Sequence, residues 1–548
     1  MRTPSRRALL GAGIAVAGSG LLPAGATRAS GSVRTGTHDT TPRHDTTRRL
    51  DKNGMDVSHG PGDDTPPGYV TPDGPEVAEA ERKRGSGPVR SAALTAAETE
   101  LDLGGHTVRT WAYDGRLPGR EIRVTAGDRL TLTLANHLPQ STTLHWHGLA
   151  VRNDMDGVPG LTQRSLKPGA AFDYHFSITE PGTHWVHPHS GTQLDRGLYA
   201  PLIVDDPKEP LSYDREWIVM IDDWLDGVDG SEPEAVLAEL SGGRVSGGGM
   251  GHDDMHMGGD GGKTGAAGTS NGPSRMLTGS RSRLLGGDAG DVDHPFHLIN
   301  GRSTKDPETF RARPGDRIRI RFINAGADTA YRVALGGHRM TVTHTDGWPV
   351  EHTETDALLL GMAERYDVLV TAGDGVFPLT ALAEGKKRSA LAVLRTGGGE
   401  APGESARPRE LRGEVLTADR LRAAESVRLS SRRPDRTLEM TATGTMRKWD
   451  WAINSKPYTS SQRYPVEAGE RVRIRFRNHT RMWHPMHLHG HTFALPDDGP
   501  RKDTLSLLPG RSLNVDFDAD NPGLWMVHCH NVYHSESGMM TVVGYRKK

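Results

Sequence analysis

The chain has 548 residues, room for two to four domains. Its 67 basic residues against 69 acidic ones offer no field for a nucleic-acid backbone or an anionic membrane surface. A single cysteine excludes an internal disulfide, and 68 Gly and 35 Pro with 5% aromatics favour strands and turns over helical bundles.

In chain order, Arg6-Arg7 precedes a modest apolar run, Ala8 to Leu22, and small residues follow at Ala24-Gly25-Ala26 and Thr27-Arg28-Ala29. This predicts a twin-arginine export signal over 1–29. The run is short and broken by Gly, so no membrane span is expected once it is removed. The mature chain is then exported, to a periplasm, a cell envelope or the medium. Residues 30–90 are rich in Thr, Asp, Gly, Pro and Arg, which predicts a disordered arm holding His38, His44 and His59.

One pattern then occurs three times: a Gly turn, an alternating apolar and charged strand, and a closing Asn. The copies run Gly127 to Asn136, Gly315 to Asn324 and Gly469 to Asn478. Such alternation marks half-buried sheets. A second half follows each. Leu166 to Gly169 leads to Pro181-Gly182, and Leu508 to Gly510 leads to Pro522-Gly523; both end in histidines. The middle copy, Leu360-Gly361 onward, ends without them at Thr380 to Glu384. The prediction is an all-β chain of three Greek-key β-sandwiches at 91–205, 206–396 and 432–548, the second a spacer and 397–431 a linker. A short helix-compatible piece lies at Leu416 to Ala424. A Gly-rich insert at about 241–275 carries Met250, His252, Met255, His256 and Met257 and cannot form a core.

Four histidine clusters stand in the first and third units: His145-Trp146-His147, His187-Pro188-His189, His484 with His487 and His489, and His528-Cys529-His530 with His534. Residues two apart on a strand share a face about 6.6 Å apart, so each pair can ligate two neighbouring metals or point into one shared cluster. Imidazole suits several metals; Cys529 with Met539 ten residues on narrows the choice to copper. On a strand entering the last motif, Cys529 faces one way and His528 and His530 the other, which links two metal sites through one tripeptide. His294-Pro295-Phe296-His297 precedes its Gly-turn strand and is read as structural. His184, His338, His344 and His491 are read as supporting or surface groups.

These four motifs, over residues 90 to 548, resemble those of the multicopper oxidases in their three-domain, laccase-like arrangement of cupredoxin folds, as in bacterial copper-efflux and copper-tolerance oxidases. The resemblance implies four copper ions. His484, Cys529, His534 and axial Met539 would hold the type 1 (blue) ion, and His145 and His487 the type 2 ion. His147, His187, His189, His489, His528 and His530 would hold the binuclear type 3 pair. It further implies oxidation of a reductant at the blue site, electron passage through Cys529 to His528 and His530, and reduction of dioxygen to water. Asp156 matches an acid near the cluster, against a plainer role as a turn residue before Gly157. Tyr533 stands where many relatives place a glutamate, and Glu536 is nearby without an assigned role. The Met/His insert favours Cu(I) as reductant, beside Fe(II), phenols and aromatic amines. A general polyphenol oxidase and a copper-sequestering protein are the alternatives, and a monomer is expected.

Overall fold

The computed structural model describes residues 65–242, 272–459 and 461–548. The expected signal, His38, His44, His59 and the Met250–Met257 segment lie outside the described residues.

Each Gly-turn strand sits in the same place in its own sandwich. Arg129–His137 runs parallel to Val89–Asp102 and antiparallel to Ala171–Ser177. Arg317–Asn324 lies likewise between Arg215–Trp224 and Arg365–Thr371, and Arg471–Asn478 between Arg436–Thr443 and Ser512–Asp518. The turn glycines Gly127, Gly315 and Gly469 have φ of 99°, 85° and 93°, a region that side chains disfavour.

The closing asparagine explains its own recurrence. Asn136 donates its amide to the carbonyls of Gln140 and Leu166, Asn324 to Thr329 and Leu360, and Asn478 to Met482 and Leu507. Each also accepts from a backbone N–H two residues on. One buried side chain thus ties the strand end to the corner that crosses to the facing sheet, where irregular backbone would otherwise be unpaired.

The first sandwich pairs two four-stranded sheets, the second two six-stranded sheets, and the third a six- and a five-stranded sheet. The second has its own apolar core, with Trp217, Ile320, Phe322 and Leu379 inside. The first and third share one continuous buried cluster running from Leu132 and Trp146 to Phe476 and Trp525. That shared core is what brings their histidine strands together.

Two expectations need correction. The arm predicted over 30–90 is packed structure from residue 65. Pro75–Lys83 is an α-helix opened by a proline, where a missing N–H does no harm. Val70 and Val77 join the main core, and Tyr69 bridges to Arg546. The polar composition hid these two anchors. Leu416 to Ala424 forms no α-helix. Val415–Leu416 pairs with Ala357–Leu358, Ala418–Arg420 is a single 3-10 turn, and Leu421 and Ala423 are buried. Docking against the second and third sandwiches keeps this piece extended.

Candidate metal centre

Strand Leu524–Cys529 pairs with His484–Leu488, with Met486 opposite Cys529 and His487 opposite His528. The pleat sends Cys529 and its neighbours to opposite faces. The short helix Val532–Glu536 starts at Asn531, whose side chain accepts from the N–H groups of Tyr533 and His534. That turn carries His534 back over Cys529. Cys529 Sγ then lies 3.6 Å from His484 Nδ1 and 3.6 Å from His534 Nδ1, and the two nitrogens are 3.2 Å apart. Ligand bonds of about 2.0–2.3 Å fit one ion inside such a triangle. The backbone of Met539 bonds to both Cys529 and His534, which sets it beside the trio. His534 Nε2 donates to Asp291 at 2.7 Å, and His484 Nε2 lies 2.8 Å from Thr480 Oγ1. Both Nδ1 lone pairs are left facing the sulfur. Burial pushes the Cys529 thiol well up, so a cation is needed to make it a thiolate.

Behind this trio, the strands His145–His147 and Gly182–His187 pair with His145 opposite His187. Three sets of ring nitrogens converge to within 4.8 Å: His145, His147 and His487; His147, His187 and His530; His189, His489 and His528. All eight histidines expected there are thus in one nest, at the seam of the first and third sandwiches.

Hydrogen bonds around the nest fix the lone pair of most of its rings. His145, His187, His487 and His528 donate Nδ1–H to the carbonyls of Asp156, Pro188, Asp503 and Cys529 at 2.8–2.9 Å. Nε2 of His145, His187, His189 and His487 is buried without a partner, as are both nitrogens of His530. Such orphans are rare in folded proteins. Burial, then the neighbouring imidazoles, holds His187, His489, His528 and His530 well below the usual histidine range and His189 at about 3. They are neutral, as metal ligands must be. The donor set fits a cluster of imidazole-bound ions.

Acidic side chains surround the nest. Asp156 is buried, and its Oδ2 accepts from His489 Nδ1 at 3.0 Å while its carbonyl accepts from His145. It therefore touches two of the expected ligands, which a turn role does not require. Glu536 lines a cavity of about 20 Å³ with His187, His189, His528 and His530, room for one water-sized molecule. Burial raises its carboxyl to about 7. Tyr533 does not reach the nest; its hydroxyl donates to Asp195.

Asp503 was not singled out from the sequence, yet it accepts from His147 Nε2 at 3.0 Å. Asp291 and Thr480 at the trio were missed as well. None carries a local signal, because their partners lie in other units or beyond a turn. His294 lies between Asp195 and Asp223, and His297 meets Tyr331 at 2.7 Å, which accords with structural roles. His184, His338, His344 and His491 are all buried, not on the surface.

Three β-sandwiches with a thiol–imidazole trio joined by one tripeptide to an eight-imidazole nest define a protein built to hold several redox metals. The chain belongs to the multicopper oxidase family, whose profiles match residues 95–209, 278–399 and 431–548. The multicopper oxidase MmcO of Mycobacterium tuberculosis is 47% identical over 474 residues, spanning 86% of this chain and 90% of that protein. A copper resistance protein A homolog of Pseudomonas syringae pv. tomato is 28% identical, spanning 82% and 91%. The solved multi-copper oxidase of Pseudomonas thermotolerans has the same fold, with TM-score 0.60 and 24% identity over 84% of this chain and 100% of that one. The protein is thus a copper-binding oxidoreductase. Among the described residues no helix is long and apolar enough to cross a membrane.

Proposed function

We propose that this protein is an exported oxidase that takes single electrons from Cu(I), with phenols and aromatic amines as looser substrates, and reduces dioxygen to water in copper tolerance. The observation that carries the reading is Cys529, whose sulfur completes the trio while His528 and His530 on either side enter the nest. His484, Cys529, His534 and Met539 would hold the blue ion, His145 and His487 the type 2 ion, and the remaining six histidines the type 3 pair. Bound copper would supply one-electron redox at four centres, matching the four electrons that one dioxygen needs. The chain does the rest. Cys529 and its flanking peptide bonds form the conduit between the two sites. Burial of the nest excludes bulk water. Glu536, on the cavity wall, can hold a proton on its carboxyl near neutral pH, and Asp156 keeps the rings of His145 and His489 aligned.

Cu(I) is favoured by the Met250–Met257 segment, whose thioethers are soft ligands, and by relatives named for copper resistance. Export rests on Arg6-Arg7 and the apolar run behind it. Copper per chain should be four, with a blue absorption band. Replacing Cys529 by Ser should abolish the band and oxygen consumption together; oxygen consumption that survives refutes the conduit. Steady-state rates with Cu(I), Fe(II) and a phenol, with and without residues 245–260, separate the substrates. Unchanged Cu(I) turnover on deletion would favour a general polyphenol oxidase.

A further inference from the structure

We propose that Arg365, in the sandwich that supplies no expected ligand, is a positioning residue that sets the ligating face of His147 through Asp503. It would thereby hold together the corner of the nest formed by His145, His147 and His487. The inference rests on the copper reading above and assigns the second sandwich a part in the metal centre.

The starting observation is that His147 is turned over. His145, His187, His487 and His528 direct Nδ1–H to backbone carbonyls. His147 instead donates Nε2–H to the Asp503 carboxylate at 3.0 Å, with Thr504 Oγ1 at 3.2 Å, and leaves Nδ1 buried without a partner. Its orientation therefore depends on a side chain that could swing. The same Asp503 accepts His487 Nδ1–H on its carbonyl, so one residue steers two members of the corner.

What keeps the Asp503 carboxylate in plane is Arg365. The guanidinium donates from Nη1 to Oδ1 at 2.7 Å and from Nη2 to Oδ2 at 2.6 Å, and both side chains are fully buried. The fork fixes the carboxylate plane, which a lysine's point charge would not.

Arg365 is itself clamped. Nε donates to the Thr183 carbonyl of the first sandwich and Nη1 to its own sandwich at Ala363, each at 3.1 Å, and Asp346 lies 3.4 Å away. Asp346 in turn accepts the N–H groups of Asp503 and Thr504. All three sandwiches meet on this one cation. The chain leaves room for it at Gly148, directly after His147. With φ of 90°, a Cβ there would collide with Arg365 Nη2 and crowd Asp503 Oδ2 and His184 Nδ1.

The test uses the full copper-loaded chain and its Arg365→Gln, Arg365→Lys and Asp503→Asn variants. Copper per chain, the blue band and the type 2 electron paramagnetic resonance signal are followed together. Arg365→Gln and Asp503→Asn should each keep the blue band, alter the type 2 signal and weaken copper retention in the nest roughly 10–100-fold, as loss of a partner behind a metal ligand does. The double variant should be no worse than either single one, since both cut the same link, and Arg365→Lys should fall between parent and Arg365→Gln. An Arg365→Gln protein with the parent's type 2 signal and copper retention overturns the inference. So does loss of the blue band along with the nest, because Arg365 would then serve folding in general. A parent chain with no type 2 signal overturns the four-copper reading on which the inference stands.

Discussion

An imidazole binds metal through whichever nitrogen has no proton, so the partner of the other nitrogen decides the site. For His145, His187 and His487 those partners are main-chain carbonyls, which leave Nε2 of each ring bare for a metal. Asp156 and Asp503 are the exceptions, since each uses both its backbone carbonyl and its carboxylate. Asp156→Ala would leave His489 Nδ1–H buried and unpaired, a cost of about 1–3 kcal/mol. Oxygen turnover should fall roughly 10–100-fold, while Cys529-dependent colour stays. Oxygen-electrode rates beside the visible spectrum check this; colour lost in step with turnover would make Asp156 a general folding residue. Asp156 was legible in the sequence because it follows the first histidine pair where the resembling family has an acid, whereas Asp503, 356 residues from His147, had no such match. Both carboxylates meet their histidine across units, so spacing alone reports neither.

At the scale of elements, strand register does most of the placing, and it could be read in advance. Alternation put Cys529 and its flanking histidines on opposite faces, and the pairing of His487 with His528 follows from it. The repeated Gly turn and closing Asn gave three matching sandwiches for the same reason: each step is local. The packed helix Pro75–Lys83 escaped because two buried valines anchor a stretch whose composition is otherwise polar. The helix Val532–Glu536 is the weakest element near the trio, with five residues and one cap. Asn531 caps it and also donates to Asp328 of the second sandwich at 2.6 Å. Asn531→Ala should cost about 1–2 kcal/mol and let His534 drift from Cys529. A shifted or broadened blue band, with the type 2 signal retained, is the expected spectrum; an unchanged band would show that Met539 and Asp291 suffice to hold His534.

Across the whole molecule, the seams of the second sandwich with the first and third bury charge that must be kept in balance. Arg319 and Arg321 share Asp367, and Arg365 and Lys502 share Asp346. Removing one member of such a set is costly because the others stay buried. His184 lies where the first sandwich meets the second at Gly347, fully buried with neither ring nitrogen partnered. Burial first, and then the Arg365 charge, lowers it from 6.5 to about 3. Between those values the unfolded chain binds a proton that the folded chain refuses. Stability therefore falls as pH drops below about 6.5 and levels off near 3, by up to about 1.4 kcal/mol per pH unit for this one group. Denaturant midpoints of the copper-loaded protein from pH 7 to pH 4 should decline, and His184→Gln should flatten the decline by that slope. Equal slopes in the two proteins would mean that His184 accepts its proton in the folded state, with the seam opening to solvent before the molecule unfolds.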